Sequence, residues 1–143
     1  MTRLLAILSA ALLISACEAP KPRGAFVPET AIVTAPGAEI SAEYAAFSGV
    51  WDGMWADCLP GKLIVTEVSA SGSIKGVYSY GDCAKWKVEE GSTPVSGQIE
   101  GNLLTLDKLP NGAAVSYRLE AGGNLSGSYE RAGATTLGRF GKQ

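Results

Sequence analysis

Hydrophobic positions follow two different patterns along this chain. From Leu4 to Ala16 they form a nearly unbroken run, interrupted only by Ser9 and Ser15. From Phe47 onward they come in short runs bounded by glycine, asparagine or serine, with no helical period between them, which is the signature of strands. The runs fall at about 47–57, 62–69, 73–80, 85–90, 94–100, 102–107, 113–120, 124–131 and 134–140. In Val115-Ser116-Tyr117-Arg118-Leu119 and in Leu125-Ser126-Gly127-Ser128-Tyr129 the apolar residues share one face, so the sheet is expected to be wet on the other. Ser71-Gly72, Gly101-Asn102, Asn111-Gly112 and Gly122-Gly123 supply the positive φ angles that tight hairpins require.

Two of the hairpins repeat each other at an offset of 51 residues, with Val68, Gly72, Ile74, Gly76 and Tyr78 matching Leu119, Gly123, Leu125, Gly127 and Tyr129. A mid-strand glycine weakens pairing unless the sheet bends or another backbone comes close, so Gly76 and Gly127 predict strong curvature. A meander of short curved strands with no helix to cover its edges is most economically closed on itself. The expected fold is therefore all-β: a small antiparallel up-and-down barrel of about eight strands over 47–143. In such a meander the loops after the first and third runs share one rim, and these loops carry Cys58 and Cys83.

The segment ahead of the barrel reads differently. Pro20, Pro22, Pro28 and Pro36 are spaced so that neither helix nor strand runs far, and 17–46 is expected to be a flexible, semi-extended tether. Ser41 can cap one helical turn through Ala42-Glu43-Tyr44-Ala45-Ala46. Ahead of the tether, the apolar run is thirteen residues behind the single positive charge of Arg3. A membrane-spanning helix needs about 20 apolar residues, whereas the apolar region of a secretory signal needs roughly 7–15, so 1–16 reads as a signal peptide.

The run ends in Ile14-Ser15-Ala16-Cys17, which resembles the bacterial lipobox. That resemblance implies acylation of Cys17, palmitate among the acyl groups, and cleavage just before it. Several chains anchor stably because each buried methylene contributes about 0.8 kcal/mol. The expected partner is thus a lipid bilayer in the cell envelope. Glu18 follows the cysteine where an Asp, in lipoproteins resembling those of enteric bacteria, retains the protein at the inner membrane. The resemblance therefore implies the outer membrane, with the barrel facing the periplasm.

Composition narrows the chemistry. The chain has 14 acidic and 12 basic residues, three cysteines and no histidine among 143 residues. No basic stripe suggests nucleic acid. With Cys17 acylated, Cys58 and Cys83 remain as a pair in an oxidising compartment and are expected to form a disulfide, in preference to free thiols or a metal site. A histidine-dependent triad or metal centre is excluded, and no metal or other cofactor is expected. Asp52, Asp57 and Asp82 near the cysteine rim are candidates for acid–base work, with solvated loop carboxylates as the simpler reading. Lys85, Lys87, Glu89 and Glu90 read as a solvated strand face. The chain is not expected to be an enzyme.

Gly49-Val50-Trp51 resembles the Gly-x-Trp opening of the calycin barrels, the superfamily of lipocalins and avidins. The resemblance implies that Trp51 plugs the closed end and that a cation from the last strand, Arg139, packs across it. Gly49, Trp51, Cys58 and Cys83 also resemble the outline of small bacterial metalloprotease inhibitors and related envelope lipoproteins. Trp51, Trp55, Tyr78, Tyr80, Trp86, Tyr117 and Tyr129 are the candidates for the barrel interior or a ligand site, since Trp51 and Trp55, like Tyr78 and Tyr80, share a strand face. Three functions follow: a binding module for a small apolar ligand or partner, an inhibitor of a secreted protease or lysozyme, and a structural envelope component. A hollow barrel would favour the first.

Overall fold

The computed structural model describes residues 22–143. The signal run 1–16 and the lipidation cysteine Cys17 lie outside the described residues. Eight strands close into one antiparallel barrel: β1 (Gly49–Trp55), β2 (Leu59–Val68), β3 (Ser73–Tyr80), β4 (Gly91–Glu100), β5 (Leu103–Leu106), β6 (Ala114–Leu119), β7 (Leu125–Arg131) and β8 (Ala134–Lys142). Each strand pairs with its sequence neighbours, and β1 pairs with β8 from Trp51↔Lys142 to Trp55↔Gly138. Closure leaves no sheet edge unpaired, which is how the described residues, with almost no helix among them, satisfy their backbone. Gly72, Gly101, Gly112 and Gly123 all take positive φ, as the turn chemistry requires.

The run at 85–90 is not a strand. Ala84–Trp86 forms a single 3-10 turn, ended by Lys87 in a left-handed conformation, and only the isolated bridge Cys83↔Val88 remains of strand pairing there. The alternation of lysine with Trp86 and Val88 imitates a half-buried strand. The disulfide and the tight return at Cys83 leave no partner strand for it.

Inward-facing side chains fill the barrel. Phe47, Trp51, Trp55, Leu63, Tyr78, Ile99, Leu104, Tyr117, Leu125 and Phe140 belong to one buried cluster. The interior is therefore packed solid over most of its length, as an eight-stranded barrel permits.

One end is closed by α1 (Ala42–Ala45), where Ser41 Oγ accepts from the Tyr44 backbone N–H as expected of a cap. Phe47 follows and is wholly buried. The segment 22–40 has neither helix nor strand, in line with its prolines, but it is held to the barrel as a strap. Arg23 O accepts from Asp82 N and Thr66 O accepts from Thr34 N. Thr66 is available because the β2–β3 register shifts between Val65 and Glu67, which frees its backbone from the ladder. Ile64 and Ser79 face outward by strand alternation yet are completely buried, on strands whose neighbouring residues Thr66 and Asp82 bond the strap.

Candidate functional site

The two ends of the barrel differ in chemistry. At the closed end Trp51 Nε1 donates to Phe47 O at 2.8 Å, which fixes the indole across the barrel floor. The cation over Trp51 is Lys142, with Nζ 5.1 Å from the ring centroid, and Nζ also donates to Ala46 O at 2.9 Å. Arg139, the expected partner, lies exposed on the outer wall. The reason is parity: Phe140 points inward, so Arg139 must point outward, while Lys142 shares the face of Phe140 and pairs directly with Trp51. Burial lowers the pKa of Lys142.

The opposite end is braced by the Cys58–Cys83 disulfide, with Cα atoms 5.6 Å apart. It joins the β1–β2 turn to the loop after β3, the two loops that an up-and-down meander places at one rim. Beside it opens a recess of about 420 Å³. Tyr78, Tyr80 and Tyr129 wall it together with Leu59 and Leu109, while Lys87, Glu89 and Arg131 stand on its rim. The rings of Tyr78 and Tyr80 lie 5.8 Å apart. Asn111 Nδ2 donates to the Tyr129 hydroxyl at 2.8 Å, which orients that wall.

Under the recess sits Trp55, its ring 5.9 Å from that of Tyr129, 5.8 Å from Tyr117 and 5.0 Å from Phe140. Trp55 Nε1 and the Tyr117 hydroxyl are buried and have no protein hydrogen-bond partner. Buried polar atoms are nearly always satisfied, which makes these two groups exceptions within the core. Burial raises the pKa of Tyr78 and that of Tyr117, so both stay protonated.

The candidate aromatics thus divide three ways. Trp51, Trp55, Tyr78 and Tyr117 are core residues, and of these only Tyr78 also reaches the mouth wall. Tyr80 and Tyr129 are half-buried at the mouth. Trp86 is not interior at all; it is exposed on the 3-10 turn outside the barrel. Leu59, Leu109 and Arg131 join the site without having been singled out, since loop closure across the mouth leaves no periodic trace in sequence.

The three aspartates do not assemble. Asp52 lies on the outer wall paired with Lys62, away from the cysteine rim. Asp57 is 3.4 Å from Lys85. Asp82 binds the strap: its Oδ2 accepts from Arg23 N at 2.9 Å and from Arg23 Nε at 3.0 Å, and its Oδ1 accepts from Glu90 N at 2.8 Å. The Arg23 backbone N–H, then its guanidinium, then the Glu90 backbone N–H hold the Asp82 carboxyl down at about 2. Among the described residues no group of three or more His, Cys, Asp or Glu is placed to hold a metal, and no helix is long and apolar enough to cross a membrane. No protein-family model matches the chain, and no curated protein matches it.

Proposed function

We propose that this chain is a lipid-anchored protein of the bacterial cell envelope, tethered through Cys17 and carrying a calycin-like barrel that binds an apolar or aromatic group at its disulfide-braced mouth. The observation that carries the reading is the contrast between a solid core and a recess at the barrel mouth walled by Tyr78, Tyr80 and Tyr129. A solid barrel has no calyx to engulf a whole ligand, so the bound group enters the mouth and the rest of its parent molecule stays outside. The Gly-x-Trp opening, the plugging Trp51 and the Lys142 lid support the calycin likeness. The mouth carries no histidine, paired carboxylates or free thiol, which supports a binding role over a catalytic one.

Trp55 reports on the site because it touches the mouth through Tyr129. A small hydrophobic probe should change its emission. Replacing Tyr80 by alanine should weaken probe binding by roughly ten- to a hundredfold, the scale of about 1.5–3 kcal/mol for a buried large side chain. A probe that binds the Tyr80→Ala variant equally well would overturn the mouth as the site. The anchor is tested separately, by the mass of the mature membrane-extracted protein; a chain without acyl groups would overturn it.

The filled interior also favours a second reading, in which the barrel is a rigid platform that inhibits a secreted protease or lysozyme. It is tested by adding the protein to such enzymes and following residual activity. The strap weighs against a protease-cleft mechanism, because 23–34 is hydrogen-bonded to the barrel wall.

A further inference from the structure

The strap determines where the chain leaves the barrel. Arg23 is fixed to the disulfide loop through Asp82, and Gly81 has no side chain because the backbone of Arg23, Gly24 and Ala25 passes within 2.3–2.8 Å of where its Cβ would be. Between that fixed point and Cys17 stand only the five residues Glu18 to Pro22. Fully extended, such a link spans at most about 20 Å. An acyl group on Cys17 therefore holds the disulfide end of the barrel close to the bilayer, with little freedom to turn over.

Three of the seven exposed large apolar side chains among the described residues belong to the disulfide loop and to the start of the strap beside it. Trp86 is 36% exposed on the disulfide loop, and Phe26 and Val27, just past Arg23, are 40% and 44% exposed. Trp86 stands between Lys85 and Lys87. A tryptophan with its ring at headgroup depth, flanked by lysines whose stems lie along apolar surface, is the arrangement found at membrane interfaces. Charge does not drive the contact. Arg23, Lys85 and Lys87 are set against Asp57, Asp82, Glu89 and Glu90, and Arg23 and Lys85 are already paired.

We propose that the disulfide end of the barrel rests on the lipid bilayer, with Trp86, Phe26 and Val27 entering the headgroup region of a zwitterionic surface. This rests on Cys17 being acylated. The mouth then opens toward the membrane, and the apolar group it accepts is one presented from the bilayer, such as an acyl chain end or a lipid-borne aromatic.

The test uses the acylated protein reconstituted into phosphatidylethanolamine–phosphatidylcholine vesicles, with or without bromine on the acyl chains. Of three tryptophans, Trp51 and Trp55 are buried in the barrel and only Trp86 is exposed. Wild-type protein should be quenched in brominated vesicles, and Trp86→Phe should lose the larger part of that quenching, the remainder coming from Trp55 beneath the mouth. The wild-type quenching should persist in about 1 M salt, where charge interactions are screened beyond about 3 Å. A second variant, Asn102→Trp in the Trp86→Phe background, places the reporter on the β4–β5 turn at the far end and should not be quenched. Acylated wild-type protein with equal emission in both vesicles, or quenching of the Asn102→Trp reporter to the same extent, overturns the orientation and leaves the anchor intact. A mature mass without acyl groups overturns the anchor and the orientation together.

Discussion

Trp55 and Phe140 occupy volume that four glycines leave open. A Cβ on Gly127 or Gly138 would lie 2.7 Å from the Trp55 ring, one on Gly61 3.0 Å from its Nε1, and one on Gly53 2.6 Å from the Phe140 ring. Gly127→Ala should therefore destabilise the barrel by about 1–3 kcal/mol, the usual cost of overpacking. Gly122→Ala, with open space around it, is the control, and urea denaturation reads both. The sequence shows that Gly76 and Gly127 are unusual but not why. Gly76 does meet the neighbouring backbone, 2.3 Å from Ile64 O, whereas Gly127 meets a ring from a distant strand, and side-chain volume across a barrel leaves no local pattern. Tyrosine ionisation gives another residue-scale check. Tyr78 and Tyr117 are buried with pKa values raised by desolvation, so the folded state keeps protons that the unfolded state gives up above about pH 10. Stability should be intact below that pH and fall as pH rises above it. In an absorbance titration of the five tyrosines, two should ionise only as the protein unfolds.

At the scale of elements, the strap and the disulfide loop are one unit joined through Asp82. Its carboxyl is lowered to about 2 from an ordinary carboxylate value by the Arg23 backbone N–H and guanidinium. The stabilisation is present above about pH 4 and is lost as pH falls toward 2. The strap should detach over that window, and Asp82→Asn should loosen it at neutral pH. Tryptic cleavage after Arg23 measures this: faster cutting in the variant supports the latch, and equal rates refute it. Replacing both Cys58 and Cys83 by serine opens a loop of sequence separation 25, worth about 3.5 kcal/mol by loop entropy. Thermal unfolding under oxidising conditions should begin well below the wild type. The prolines foretold the lack of helix and strand in 22–40, and the meander foretold the shared rim of the cysteines. Docking of the strap was not legible, because Thr66 O is freed by a bulge that no side-chain pattern announces, and Arg23 meets Asp82 and Glu90 from far along the chain with no local spacing to mark the pair. Nor was the turn at 84–86, where lysine, tryptophan and valine alternate as they would in a strand.

At the scale of the whole molecule, seven of the eight strand pairings join sequence neighbours, and closure depends on β1 meeting β8. The seam is keyed by absent side chains. Gly53 stands opposite Phe140, and a Cβ there would lie 2.0 Å from Arg139 O and 2.6 Å from the Phe140 ring. A backbone atom at that distance cannot be rotated away as a side chain can. Gly53→Ala must therefore push β8 outward, which breaks ladder hydrogen bonds along the seam and exposes Phe140 and Trp55 together. The expected loss is more than the 1–3 kcal/mol of ordinary overpacking, because packing and pairing fail at once. It should be the most damaging of the alanine replacements at glycine positions, and amide exchange should show β1 and β8 losing protection while β2–β3 retain theirs. Exchange accelerated equally in all eight strands, with a stability change no larger than that of Gly127→Ala, would mean that the seam yields as easily as the interior and that closure is not what holds the mouth residues in register.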